Sequence, residues 1–424
     1  MITLIEALNF RCLRYVRQPM GSFHVLVGPN ASGKTTFLDV VGFLGRLVSD
    51  GLEAAIHERT QNFQDLVWGR IGERFELAVE ARIPEDRQTP LEAPLYDMIR
   101  YEVAIGLDKK SKEVAILDEQ IVLSQESQQG DSGKDKGDPM VTPDTVFLAE
   151  NWHRGRSLMD TRTAKGELSV SPEQPLDENG KPGREVGSYW NTYRPNPRKT
   201  VFANLNEEEY PASTWLADVL SHGIFHVELV NEKLRQPSPP GKGYFPKEDG
   251  SNLPWVISGL QEQAPDRFKD WRDHLQTALP DLESIRVVER PEDKHRYVLL
   301  RFRGGLEVPS WMLSDGTLHL MALTIIPYTP EFQPVCLVEE PENSIHPLNI
   351  ETVMQSLGSV YNGQVLVATH SPIVLGVAKV EQILVFSRDP GEGTRIVPGN
   401  EHPGLKDWRG EVSLGMLYAG GVLG

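Results

Sequence analysis

Hydrophobic and polar positions change rhythm several times along the 424 residues, and each rhythm predicts a different element. Phe23 to Val27 is a short apolar, β-branched run that stops at Gly28. Thr36 to Val48 then carries Phe37, Leu38, Val41, Leu44 and Val48 at helical spacing, so the start reads as strand, loop and helix. From about Phe75 to Leu123 the alternation has period two, as in FELAVEARI and YEVAIGL, which predicts antiparallel strands. Residues 124 to 139 are polar almost throughout and read as a solvated loop that marks a boundary. From Val141 to about Trp255 prolines recur too often for a long coiled coil, because each removes a helix donor and clashes with the preceding turn. Short helices are expected around Ala212 to Leu220 and Leu260 to Leu279. Trp152, Trp190, Trp215 and Trp255 read as anchors of small cores or, alternatively, as base-stacking platforms. After Arg286 strands at Arg286 to Glu289, Tyr297 to Arg303, Val335 to Val338 and Val365 to Ala368 alternate with a helix after Ser314. This predicts a mainly parallel sheet covered by helices.

Composition narrows the class. With 39% hydrophobic and 24% charged residues, the chain reads as a globular protein of two or three modules, neither disordered nor fibrous. The balance of 43 Lys and Arg against 60 Asp and Glu gives −17, so the surface as a whole repels a polyanion. Nucleic acid would have to be met by a local basic patch or by a partner. Two cysteines, Cys12 and Cys336, supply neither a disulfide framework nor a four-cysteine zinc site, and suit a reducing cytoplasm. MITLIEALNF does not read as a signal peptide. The longest largely apolar stretch, near Leu318 to Tyr328, is too short to cross a bilayer, so no membrane contact is expected.

Four places carry chemistry. Gly28-Pro29-Asn30-Ala31-Ser32-Gly33-Lys34-Thr35 matches GxxxxGK[ST], after an apolar strand and at the opening of a helix. Such a loop lets backbone N–H groups converge on a phosphate chain at a helix N-terminus, with Lys34 reaching the β- and γ-phosphates and Thr35 ligating Mg²⁺. Val335 to Val338 is an apolar strand that ends in Glu339 and Glu340, where ligands of parallel sheets collect. In an NTPase the first acid holds the magnesium shell and the second orients the attacking water, whereas alone the pair could be a solvated strand end. Leu313-Ser314-Asp315-Gly316-Thr317 precedes an apolar helix with Ser314 as its N-cap, a potential anion site or a plain capped helix. Val365 to Ser371 is a further apolar strand ending in polar residues, with His370 as a γ-phosphate contact or a surface histidine.

In this order GPNASGKTT, LSDGT, VCLVEEPENSIHP and VATHSP resemble the ABC-type ATPases of the RecF, SMC and OLD group, in particular the compact AAA-family ATPases of bacterial defence loci. The resemblance covers roughly residues 1 to 125 and 245 to 390. It implies an α/β P-loop head with a mainly parallel sheet, an antiparallel β lobe and an irregular insertion. The expected divisions are 1–123 for the first part of the head, 124–245 for an inserted recognition region and 246–424 for the second part. Carried over by position, Gly28 to Thr36 form Walker A, Glu339 and Glu340 Walker B, Ser314, Asp315 and Gly316 the signature, and His370 the switch histidine. Glu342, Asn343 and Ser344 fall in the D-loop. Glu339 departs from the usual Asp and reaches one methylene further. LSDGT replaces the transporter LSGGQ, as is normal for the OLD-like group. Gln61 and Gln64 are the candidates for a Q-loop glutamine, and Gly250 to Leu253 matches a recurrent element without an assigned role.

The resemblance implies ATP and Mg²⁺ as cofactors and a head-to-tail dimer with two ATP molecules at its interface. The chain lacks the Toprim elements that nucleases of the OLD type carry after the switch histidine, and no HNH constellation appears. The expected role is therefore an ATPase controlling a separately encoded effector, for instance a nuclease, in anti-phage defence or DNA maintenance. An ATP-gated scaffold with little turnover and a RecF-like repair ATPase are the alternatives. Arg154, Arg156 and Arg162, or Arg194, Arg198 and Lys199, could touch phosphates or could be merely solvated.

Overall fold

The computed structural model describes residues 1–88, 96–125, 142–148, 155–160, 168–170, 173, 191–193, 196–389, 391–406, 408, 410 and 412–423. Trp152, Trp190, Arg154, Arg162, Arg194 and most of the polar 124–139 run lie outside the described residues, as does the side chain of Arg156. Two units are present. The first holds Met1–Gly21, Asn30–Ile224 and Ser387–Ile396, and the second Ser22–Pro29, Phe225–Phe386 and Val397–Gly424.

The chain opens with β1 (Ile2–Phe10), β2 (Leu13–Pro19) and β3 (Phe23–Val27), then enters α1 (Lys34–Asp50) and α2 (Leu52–His57). Six strands follow: β4 (Arg74–Arg82), β5 (Met98–Leu107), β6 (Val114–Ser124), β7 (Gly155–Asp160), β8 (Leu168–Val170) and β9 (Asn191–Tyr193). Next come α3 (Pro211–His222), β10 (Ile224–Val227), α4 (Asn231–Arg235), α5 (Leu253–Gln263) and α6 (Pro265–Ala278), and then β11 (Leu282–Glu289), β12 (Arg296–Phe302) and β13 (Glu307–Pro309). The last stretch alternates as α7 (Asp315–Thr324), β14 (Val335–Glu339), α8 (Ile350–Leu357), β15 (Gln364–Thr369), α9 (Pro372–Val377), β16 (Ile383–Asp389), β17 (Gly393–Pro398) and α10 (Leu414–Ala419).

In the first unit an antiparallel sheet runs in the order β2-β1-β4-β5-β6-β7-β8-β9. Its last three strands arise from the proline-containing stretch that reads as irregular, and each pairs with the strand before it. Phe10, Phe43 and Phe75 meet at centroid distances of 5.1 to 5.7 Å, with α1 supplying Phe43 from its apolar face. The same sheet buries charge. Arg100, 3% exposed, donates to Glu102 at 2.5 Å, Glu6 at 2.7 Å and Glu80 at 2.9 Å, and its remaining reach takes the Val146 carbonyl at 2.9 Å. Glu76 accepts from Thr145 Oγ1 and the Val146 N–H, and Glu102 from the Leu148 N–H, so carboxylates tie residues 145–148 to the strands.

In the second unit β14, β15, β3 and β16 form the parallel core, with β10 beside β14. These strands are apolar nearly throughout, as expected where helices cover both faces. α5 to α8 pack around Trp271, whose indole N–H donates to Thr324 Oγ1 at 3.0 Å. The helical stretch expected around Leu260 to Leu279 is made by the end of α5 and by α6. Ala264 takes φ −144° ahead of Pro265, because proline has no N–H and pushes its predecessor out of helical geometry. The Gly250 to Leu253 element serves the fold. Its buried Asn252 accepts from the Lys247 N–H at 3.0 Å and donates to the carbonyls of Lys242, Gly243 and Phe245. Among the described residues no helix is long and apolar enough to cross a membrane.

Glu119, fully buried in the first unit, gives a pH test. Burial pushes its carboxyl up to about 7, against the Tyr101 hydroxyl at 2.6 Å and the Val201 N–H that both favour the ionised form. The folded chain thus holds a proton that the unfolded chain releases near 4.5. Its contribution to stability is full below that pH and is lost as the pH rises to about 7, by on the order of 3 kcal/mol. Urea unfolding at pH 5 and pH 8 is expected to show a steeper fall for the wild type than for Glu119→Gln. Equal slopes would mean that Glu119 ionises at its ordinary value.

Candidate functional site

The phosphate loop is shaped by residues that fit nowhere else. Gly33 adopts φ +103°, and a Cβ there would lie 2.3 Å from Thr394 Oγ1, so the position admits only glycine. Ala31, at φ +62°, takes a second left-handed turn. The first turn of α1 closes through the Phe37 N–H to the Gly33 carbonyl at 2.8 Å. Lys34 opens that helix and is 6% exposed, while Thr35 is exposed beside it. Cys12 Sγ donates to Thr36 Oγ1 at 3.3 Å. Ser32 Oγ is buried and has no hydrogen-bond partner among the described residues. A buried hydroxyl in that condition, at the N-terminus of a 17-residue helix, fits a phosphate oxygen.

In the second unit the sheet register brings the other residues to one edge. Glu339 lies opposite Ala368, and Thr369 lies opposite Val27, so β14, β15 and β3 release Glu340, His370 and Gly28 from neighbouring carboxyl ends. Glu340 takes φ +47°, a left-handed turn uncommon for a glutamate, and its N–H donates to the Ala368 carbonyl at 2.8 Å. That turn sets Glu340 Oε1 2.9 Å from His370 Nε2. Behind the pair, Thr369 Oγ1 donates to Glu342 Oε1 and accepts from the Ser371 N–H, and Ser371 caps α9.

Glu339 has a neighbour that no motif announces. His226 on β10 places Nε2 3.6 Å from Glu339 Oε1 and Nδ1 3.2 Å from Glu228. The His226 main-chain N–H donates to Glu248 Oε1 at 3.1 Å. The Glu339 carboxylate, helped by Glu228 and Glu248 and opposed by burial, holds the His226 imidazole above its ordinary value. Thr35 in the first unit carries a hydroxyl and Glu339 in the second a carboxylate, both of the hard oxygen type that magnesium takes. Among the described residues there is no cluster of three or more His, Cys, Asp or Glu side chains that could cage a metal. Single donors of this kind suit an ion that keeps waters and phosphate oxygens as its other ligands.

Ser314 is the N-cap of α7 and is exposed; its Oγ accepts from the Thr317 N–H at 3.2 Å. Asp315 pairs with Arg235 of α4, whose guanidinium also donates to the Leu313 carbonyl at 2.5 Å, so Arg235 fixes the loop that presents Ser314. Gly316 has a packing reason beyond any ligand: a Cβ would lie 2.4 Å from the Ser344 carbonyl, in the turn after Glu340. Of the Q-loop candidates, Gln61 is exposed, and Gln64, with its amide turned so that the nitrogen faces them, donates to the carbonyls of Arg70 and Gly72 at 3.2 Å, within its own loop.

A family model described as "AAA domain, putative AbiEii toxin, Type IV TA system" matches residues 23–102 and 179–376. No curated protein matches the sequence. Among solved structures the chain is similar to the SmcHead bound to the C-winged helix domain of ScpA, at 16% identity and TM-score 0.51, over 93% of this chain and 96% of that one. The Pyrococcus furiosus Smc head with an extended coiled coil, bound to the C-terminal domain of ScpA, gives 15% identity and TM-score 0.47 over 93% and 95%. The Thermotoga maritima SMC head domain gives 11% and 0.42 over 94% and 98%. At these identities the first likeness is one of fold.

Lys34→Ala is expected to lose ATP binding while remaining folded, because the ammonium neutralises phosphate charge. ATP titration beside a thermal melt checks this. Unchanged affinity in a folded variant would remove the phosphate-loop assignment.

Proposed function

Because the chain belongs to the AAA domain family described as putative AbiEii toxin, Type IV TA system, and has the fold of an ABC-type ATPase head of the SMC and RecF group, we propose that it hydrolyses ATP within a head-to-tail dimer and thereby controls a separately encoded effector in anti-phage defence. The observation that supports this most is the arrival of Gly28, Glu339, Glu340 and His370 at the carboxyl ends of three in-register parallel strands.

In this reading Lys34 and the loop N–H groups bind the phosphates. Glu340 orients a water and takes its proton as the oxygen attacks the γ-phosphorus and the bond to the β-phosphate oxygen breaks. His370 holds the Glu340 carboxylate in place and meets the γ-phosphate. Thr35 and Glu339 would hold Mg²⁺, which when bound neutralises charge on the phosphate oxygens. The extra methylene of Glu339 is accommodated because His226 stands within reach of the longer side chain. Ser314 is exposed at a capped helix start, so its hydroxyl and the α7 N-terminus are available to the nucleotide of a second subunit.

The SmcHead structure contains a separate protein bound to the head, and a separate protein partner is what we carry over from it. The net charge of −17 favours DNA contact through that partner rather than through the chain's own surface. A cytoplasmic setting suits Cys12 and Cys336, both free thiols.

Two variants test the reading. Glu340→Gln keeps the reach of the side chain and loses its charge, so ATP should still bind while phosphate release falls by about 10²-fold or more, and ATP-dependent dimers accumulate in light scattering. Wild-type turnover would end the role of Glu340. Ser314→Arg should bind ATP as a monomer yet fail to dimerise, because a bulky cation would occupy the γ-phosphate position. Normal ATP-dependent dimers of Ser314→Arg would exclude the head-to-tail arrangement.

A further inference from the structure

A backbone amide can aim its N–H at a phosphate only if the carbonyl of the same peptide unit points the other way, since the two are antiparallel in a trans peptide. In a buried loop that outward carbonyl needs its own donor. The peptide joining Ser32 to Gly33 meets both conditions. Thr394 Oγ1 donates to the Ser32 carbonyl at 2.9 Å, which directs the Gly33 N–H to the opposite side. Thr394 is well fixed for this: it is 6% exposed, its own N–H donates to the Cys12 carbonyl at 3.2 Å, and the absent side chain of Gly33 leaves no room between loop and hydroxyl. The unpartnered Ser32 Oγ on the same residue is the second sign that this peptide is set for a ligand.

We infer that Thr394, in the segment beyond the switch histidine, is a positioning residue for phosphate binding: it holds the Ser32–Gly33 peptide in the orientation that presents the Gly33 N–H to the nucleotide. This rests on the ATP reading above. A comparison within the same loop separates positioning from mere support. Tyr418 Oη donates to the Gly28 carbonyl at 3.2 Å, but the next residue is Pro29, so that peptide has no N–H to aim.

The experiment is titration with Mg-ATP of the wild type, Thr394→Val, Thr394→Ser and Tyr418→Phe, each with a melting curve in the absence of nucleotide. Loss of the Thr394 hydroxyl should raise the Kd about five- to tenfold, the effect of one hydrogen bond, and Thr394→Ser should restore it. Tyr418→Phe should change the Kd by less than about twofold, even where it lowers the melting temperature as much as Thr394→Val does. If Thr394→Val does not fold, Thr394→Ala supplies the hydroxyl-free reading. Wild-type affinity in the hydroxyl-free variant, or equal loss in Tyr418→Phe, overturns the positioning role while leaving ATP binding intact. A wild type that binds no ATP overturns the ATP reading and the inference with it.

Discussion

In a strand the side chains alternate between two faces, so a slip of one residue in the pairing of β14, β15 and β3 would turn every side chain to the other face and shift every strand end. The register that sets Glu339 opposite Ala368 and Thr369 opposite Val27 is therefore what the proposed chemistry depends on. It is specified by apolar pressure on both sides, since Val335 to Val338 and all of β15 are buried. The proposed site begins where burial stops, at Glu339. Glu340 leaves the sheet through a left-handed turn that is sterically unfavourable, by about 1 kcal/mol, and that cost is offset by its N–H bond to the β15 backbone and the approach of His370.

The first unit solves a different problem. One arginine and three glutamates buried together leave a net negative cluster, and such groups are tolerated only when their hydrogen-bonding capacity is filled. Here Glu102 also accepts the Leu148 N–H and Arg100 donates to the Val146 carbonyl, while the neighbouring Glu76 accepts the Val146 N–H, so the sheet's buried charge and the fixing of residues 145–148 are one arrangement. Glu119 does the same for Val201. These bonds couple segments far apart in sequence to strands that the period-two pattern alone describes as ordinary.

The sequence is most legible where a signal is local. The strand at Phe23–Val27, the helix after Lys34, the strands around FELAVEARI and YEVAIGL, and Ser314 as a helix cap all follow from spacing within a dozen residues. The order of four motifs adds the fold, and Glu339, Glu340 and His370 then fall at adjoining strand ends. Less legible is whatever needs a distant partner. β7 to β9 are short strands that form beside β6, and nothing in their own composition outweighs the surrounding prolines. His226, Arg235 and Thr394 carry no motif, because their meaning lies in contacts with Glu339, Asp315 and Ser32, 80 to 362 positions away in the last two cases. Gly316 is the reverse case. Its place in LSDGT is readable, yet its physical reason, contact with the Ser344 carbonyl, is visible only in three dimensions.

The separation of 362 positions between Thr394 and Ser32 also has a meaning for biosynthesis. The loop at residues 28–35 leaves the ribosome well before the Thr394 hydroxyl that bonds it, and before the strands β15 and β16 that flank β3. At about 5–20 residues per second, the loop waits on the order of 20 to 70 s for the partners that shape it. Through that interval a nascent chain carries the GxxxxGK[ST] sequence without the partners that shape it. In the proposed reading, a site for ATP takes shape only after Thr394 has been synthesised, so nucleotide binding would report that the later strands have joined β3.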